Sequence, residues 1–169
     1  MTAALVTELT DGYGHVEFLP VHFDDFDPMG VVHNSRHALL IERALAAFWG
    51  RHGHTFNGGR PTTPDTFNVV KEFSISYRAP IRAIDDVAVH FWLEALGRSS
   101  WVYDFRLLSF EGTTVFAEGR RVVIKLDPGT LRPSSWTTEV RAVAEGLLRR
   151  PGPARSKHQS TWGGRNGLL

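Results

Sequence analysis

Three carboxylates, Asp24, Asp25 and Asp27, crowd a short stretch just ahead of Gly30 and of a run of helix-forming residues. The first amides of a helix have no intrahelical acceptor, and the helix dipole favours negative charge there. Such amides can polarise a carbonyl and hold the oxyanion that develops when it is attacked. An aspartate beside them can attack the carbonyl itself, or activate a water to do so. The set therefore suits acyl transfer or acyl hydrolysis without serine, cysteine or metal. The competing reading is that the aspartates only cap a turn and the helix. Residue types alone leave both open.

Other groups are weaker candidates. His33 and His37 stand four apart, as ligands on one helical face can, and Asp27 and Glu42 could extend the set. There is no His-Glu-x-x-His pattern, and a helix boundary falls near His33, so no metal site is expected. Ser99 and Ser100 lack the glycine context of a nucleophile elbow. The glycines at 58 and 59 have neither the spacing nor the lysine of a phosphate loop. Trp92, Trp101, Tyr103 and Phe105 could stack nucleobases, but their alternation fits core or interface packing better.

The elements that must position these residues follow from periodicity. His15 to Phe23 reads as a first strand, with Pro20 arguing for an edge or a bulge. A polar turn follows. From Ser35 the apolar residues Ala38, Ile41, Ala44, Leu45 and Phe48 recur at three and four residue steps, and Gly50 and Gly53 supply stops. Few charges interrupt this helix, which predicts that it is mostly buried. Thr55 to Asp65 reads as a Gly/Pro loop. Beyond it the period becomes two. Phe67, Val69, Lys71, Phe73, Ile75 and Tyr77 form one strand face, and Val87, Val89, Phe91, Leu93 and Ala95 form the next. Trp101, Tyr103, Phe105 and Leu107 line a third, and residues 115–126 make a last strand. Short connections predict an antiparallel meander of these four strands. Trp136, Val140, Val143, Ala144, Leu147 and Leu148 suggest a small terminal helix. The expected fold is α+β: a curled antiparallel sheet wrapped around a long central helix. Its open edge favours pairing with a second copy.

Composition sets outer bounds. The chain has 169 residues, 42% hydrophobic and 22% charged, which is enough for one core and too little for two ordinary domains. Zero cysteines exclude a disulfide scaffold, a thiolate nucleophile and cysteine-ligated metal, and fit a reducing cytoplasm. No apolar run is long enough to span a bilayer, and the amino end lacks the pattern of a signal peptide. Net charge is +1, from 19 basic and 18 acidic side chains. Residues 150–169 hold four of the basic groups and no acid, leaving 15 basic and 18 acidic, or −3, in residues 1–149. That balance argues against a nucleic-acid partner. The expected organisation is one domain, 1–149, and a basic tail, 150–169, without a stable fold of its own.

Taken together, VHFDDFDPMGVVHNSRHALLIERA is more specific than its parts. It resembles the hot-dog-fold acyl-CoA thioesterases of the 4-hydroxybenzoyl-CoA thioesterase type. Their signature is aspartate, one residue, aspartate, two residues, glycine, one residue, valine, here Asp25, Asp27, Gly30 and Val32. Tyr77 with Pro80, the aspartates at 85 and 86 ahead of Leu96–Ser100, and the strand from Ala117 to Asp127 follow in the family's order. The resemblance covers about residues 15–135.

The resemblance implies hydrolysis of an acyl-CoA thioester to free acid and coenzyme A. Asp27 would be the catalytic carboxylate, as nucleophile or general base, with the amide near Asn34 meeting the thioester oxygen. Glu42 is a reserve catalytic candidate, because related subfamilies use a helix glutamate. Phe26, Gly30, Val32, His33, Tyr77, Arg98 and Ser99 would contact substrate. Arg36, Arg78, Arg82 or Arg98 would neutralise coenzyme phosphates. No cofactor or metal is implied, and the site would form between subunits of a dimer or tetramer. Where the family often has an aromatic residue and then histidine, this chain has His33 and Asn34, which bears on substrate scope. Three alternatives stay open: a thioesterase of acyl-carrier-protein substrates in polyketide or fatty-acid metabolism, a hot-dog dehydratase, and a non-catalytic acyl-thioester-binding protein.

Overall fold

A computed structural model of the chain describes residues 9, 10 and 12–149, so the basic tail at 150–169 lies outside the described residues. Strand β1 (His15–Pro20) leads through a 3-10 turn (Phe23–Asp25) to helix α1 (Asn34–Arg51). The expected Gly/Pro loop contains a two-residue hairpin, β2 (Phe56–Asn57) with β3 (Arg60–Pro61). Four long strands follow, β4 (Asn68–Tyr77), β5 (Asp86–Leu96), β6 (Ser100–Ser109) and β7 (Val115–Lys125), and then α2 (Thr138–Glu145).

The five long strands make one antiparallel sheet in the order β1-β5-β6-β7-β4. This corrects two expectations. Only β5, β6 and β7 form a meander, because β4 crosses to the far side of β7 instead of pairing with β5. Nor is the sheet curled around the helix. It is hot-dog-like but open, with β1 and β4 as its edges among the described residues, and α1 lies across one face. Closure would require those edges to meet, and β1 is only six residues long and ends at Pro20, which has no N–H to offer.

The helix is also less buried than its low charge suggests. His37, Leu40, Ile41, Ala44, Leu45 and Phe48 form its one buried stripe, while Leu39, Glu42, Arg43 and Ala46 face outward. The stripe packs on Val89, Phe91 and Leu93 of β5 and on Tyr103, Phe105 and Leu107 of β6. Burying each large aliphatic or aromatic side chain contributes roughly 1.5–3 kcal/mol. In register, Phe91 faces Phe105 and Phe105 faces Gly119. A Cβ at Gly119 would stand 2.6 Å from the Phe105 ring and collide with the Ser74 carbonyl, so the close strand approach there needs glycine. On strand β4 a bulge at Lys71 shifts the phase, and on this edge strand both Val69 and Val70 are exposed.

Charge is also buried beneath α2. The Asp65 and Lys125 side chains are 2% and 6% exposed, and Lys125 Nζ meets Asp65 Oδ1 at 2.8 Å. Lys125 Nζ also donates to the Ser135 carbonyl at 2.7 Å. Thr137 donates to the same carboxylate from Oγ1 at 2.6 Å and from its amide at 3.1 Å, while its Oγ1 caps α2 by accepting from the Val140 amide. These partners hold the Asp65 carboxyl below the usual carboxylate range, against the opposing effect of its burial. Removing one member leaves a buried, unpaired charge. Asp65→Asn is expected to lower unfolding stability by about 3–5 kcal/mol in urea titrations, with Asp65→Leu/Lys125→Met regaining most of it.

Candidate functional site

The loop before α1 is built by two aspartates with different duties. Asp25 is buried, and its Oδ2 accepts from the His22 amide at 2.9 Å. Its carbonyl accepts from the His33 amide at 2.8 Å, and Arg36 Nε stands 3.7 Å from Oδ1. Asp25 therefore fastens the loop to the first turn of the helix. Asp27 caps the turn that follows. Its Oδ1 accepts from the amides of Met29 at 2.8 Å and Val31 at 3.3 Å. Gly30 has φ +72°, with open space where a Cβ would be, so glycine answers a backbone demand and not a crowding one. The Asp27 amide donates to the Val31 carbonyl at 2.9 Å, and Phe26 bridges to Val32. The turn is a closed unit. Asp27 Oδ2 has no hydrogen-bond partner among the described residues.

The helix start is nearly satisfied. His33 donates to Asp25, Ser35 donates to His33 Nδ1 and to Asn34 Oδ1, and Arg36 donates to the His33 carbonyl. The amide of Asn34 alone in this turn has no acceptor among the described residues. Asp27, Val32, His33, Asn34, His37 and Tyr77 line one hollow of about 510 Å³. Tyr77 Oη donates to the Asn34 carbonyl at 3.3 Å, and its ring meets the His37 ring edge-on at 5.0 Å. Arg78 borders the hollow, and its guanidinium pairs with Glu118.

Other expected site residues lie elsewhere. Phe26 packs against the core, and Gly30 sits on the exposed side of the loop. Arg98 and Ser99 belong to the β5–β6 turn, where Arg98 donates to Ser135 Oγ and the Ser99 carbonyl accepts from the Lys125 amide. Glu42 is two turns along α1 from Asn34 and pairs with Arg121. His33 Nδ1 faces Ser35, and His37 Nδ1 faces the His33 carbonyl. Glu42 and Arg121 border a separate cavity of about 300 Å³, walled by Trp49, Trp101, Tyr103 and Trp136. Sequence reading missed Arg121. The available signal was its phase: it faces Tyr103 across β6–β7, on the side that carries the core.

Burial of His37 holds its imidazole below the ordinary histidine value, and His15, at the far end of α1, is pushed down to about 4 by burial and by Arg51 and His52. An unfolded histidine takes up a proton near 6.5. The unfolded chain therefore binds more protons than the folded one below that pH, and stability falls as pH drops from about 6.5 towards 4. The loss between pH 7.5 and 5, read from urea midpoints, is expected to be smaller in His37→Gln.

The sequence profile of the thioesterase superfamily matches residues 29–116, more than half of the chain and the whole span from the Asn34 turn to β7. The acyl-CoA thioester hydrolase YbgC of Escherichia coli is 26% identical over 122 residues, covering 72% of this chain and 89% of that protein. The thioesterase of Thermus thermophilus, solved with coenzyme A and zinc, superposes with a TM-score of 0.67 at 25% identity, covering 84% of this chain and 99% of that one. The PA5185 protein of Pseudomonas aeruginosa shares the fold, with a TM-score of 0.71 at 23% identity over 82% of this chain and 94% of that one. With the open sheet, the crossing helix and this match over most of the central elements, the chain belongs to the thioesterase superfamily.

Proposed function

We propose that this protein hydrolyses acyl-CoA thioesters, with Asp27 as the catalytic carboxylate and the Asn34 amide as the oxyanion donor. The observation that carries the reading is the pairing of two unspent groups on one hollow. Among the described residues the Asn34 amide lacks an acceptor, and Asp27 keeps one oxygen free while the other is fixed by its own turn. A carboxylate held by one oxygen is oriented without being consumed, as a general base must be. The kinship with an acyl-CoA thioester hydrolase and with a thioesterase solved with coenzyme A supports the substrate class. The aspartate–glycine–valine spacing favours the 4-hydroxybenzoyl-CoA thioesterase type within the superfamily.

In the proposed sequence, Asp27 Oδ2 takes a proton from water as the water oxygen adds to the thioester carbonyl carbon. The carbonyl oxygen becomes an oxyanion that accepts from Asn34 N–H and from the dipole of α1. Collapse breaks the carbon–sulfur bond. The thiolate leaves without strong acid assistance, since its conjugate thiol has a pKa of about 8.5, and the proton on Asp27 returns to the products. Tyr77 and His37 shape the wall beside the helix start. Arg78 is the arginine of the expected set that borders the hollow and so suits a coenzyme phosphate.

The exposed edge strand β4 supports the proposal that a second copy completes the site. Its ten residues offer one unpaired backbone edge, with Val69 and Val70 each 44% exposed. Light scattering of the purified chain is expected to give a dimer or larger, with Val70→Lys shifting it towards monomer; a monomeric wild type overturns this part. For the chemistry, thiol release is measured across acetyl, medium-chain, long-chain and aromatic acyl-CoA. Asp27→Asn is expected to lower kcat by about 10²–10⁴-fold while the fold is kept. Full turnover by that variant would remove Asp27 from the mechanism.

A further inference from the structure

Helix α1 and strand β4 pass each other in opposite directions. Asn34 and Tyr77 meet at one end of this seam, and Glu42, Trp49 and Asn68 stand at the other, around the second cavity. Eight residues separate Asn34 from Glu42, which is about 12 Å of helix rise.

Three tryptophans wall that cavity, together with the polar side chains of Glu42, His54, Asp65, Asn68 and Arg121. Trp49 stacks on Trp101 at 5.3 Å and 28°, and Trp101 stacks on Trp136 at 3.8 Å and 18°. Set among them is the Arg121 guanidinium, whose side chain is 9% exposed. A guanidinium in such surroundings is costly unless its donors are engaged. Here they are not. Nη1 pairs with a single Glu42 oxygen, and Nε is sealed from solvent with no acceptor among the described residues. A guanidinium carries five N–H donors, and one carboxylate oxygen is its ion-pair partner among the described residues. Two other acceptors of the wall are engaged. Asp65 is held by Lys125 and Thr137, and Tyr103 Oη accepts from Trp49 Nε1 at 3.0 Å. The Glu42 side chain is half exposed, so it can turn out to solvent and free the guanidinium face.

A cavity that joins tryptophan faces to an under-engaged buried guanidinium fits an apolar chain or ring that carries an acceptor oxygen. We propose that it receives the far end of the acyl group, and that Arg121 selects acyl groups bearing a hydrogen-bond-accepting oxygen there, a carboxylate foremost. This rests on the thioesterase reading of the Asn34 end. Arg121 is a specificity residue and takes no part in bond breaking, being two helical turns from the attacked carbon.

The test uses a matched pair: a ten-carbon acyl-CoA and its ω-carboxy counterpart, together with their non-hydrolysable thioether analogues. Turnover gives the ratio of kcat/KM between the two. Binding of the analogues is followed by tryptophan fluorescence, because three tryptophans wall the cavity. The full-length wild type is expected to favour the ω-carboxy member by about tenfold or more in both readouts. Arg121→Met is expected to bring the ratio to one or below, by a selective loss on the carboxylated member. Glu42→Gln, at an exposed position, is expected to raise the ratio, because the internal competitor loses its charge. A wild-type ratio near one, an equal loss on both substrates in Arg121→Met, or an unmoved ratio in Glu42→Gln overturns the proposal. Preferential binding without turnover of either member overturns the thioesterase reading and leaves the cavity assignment standing. Turnover without preference does the reverse, and absence of both overturns both.

Discussion

The seating of one helical stripe on one sheet face is the constraint from which the rest of the molecule follows. Leu40, Ile41, Ala44, Leu45 and Phe48 must leave water, and the apolar surface that takes them is the inner face of β5 and β6. Close packing there sets the height and direction of α1. Both hollows are consequences, one at the first turn of the helix and one two turns further on. A change that let the helix slide would move Asn34 away from the Asp27 turn and Glu42 away from Arg121 together.

Around the helix start, the chain separates holding from acting. Asp25 is spent on structure: its carboxylate and carbonyl clamp His22, His33 and Arg36. Asp27 is spent only by half, with Oδ1 closing its own turn. The two carboxylates stand two residues apart, yet burial and partners give them different capacities. Arg36 takes part in the same fastening, since its guanidinium reaches the Asp24 carbonyl and the Asp25 carboxylate of the loop.

The buried charges obey a related logic. Lys125 and Asp65 are fully engaged by each other, by Ser135 and by Thr137, and so tie β7 to the base of α2. Arg121 is four residues earlier on the same strand and on the same side of the sheet, but its countercharge is a single oxygen from a half-exposed glutamate. A satisfied pair holds structure, whereas an unsatisfied one in a cavity wall is poised to recognise something.

Much of this was legible in the order of residues. Period-two alternation marked β4 to β7, the three-and-four spacing marked α1, and Pro20 placed β1 at an edge, because each signal is local and needs only the chain itself. The aspartate cluster before Gly30 was legible for the same reason, as turn chemistry acts over a few residues. Which strand neighbours which was not. The place of β4 beside β7, and the open sheet, depend on pairings between residues some fifty positions apart, and a bulge at Lys71 resets the phase on which such guesses rest. Nor could local pattern show that Glu42 would pair with Arg121, or that Arg98 and Ser99 would meet Ser135 and Lys125. The local chain determined the elements and the residue types at the helix start. Only tertiary packing decided which side chains share a cavity, because shared cavities arise from contacts between distant segments that the helix stripe brings together.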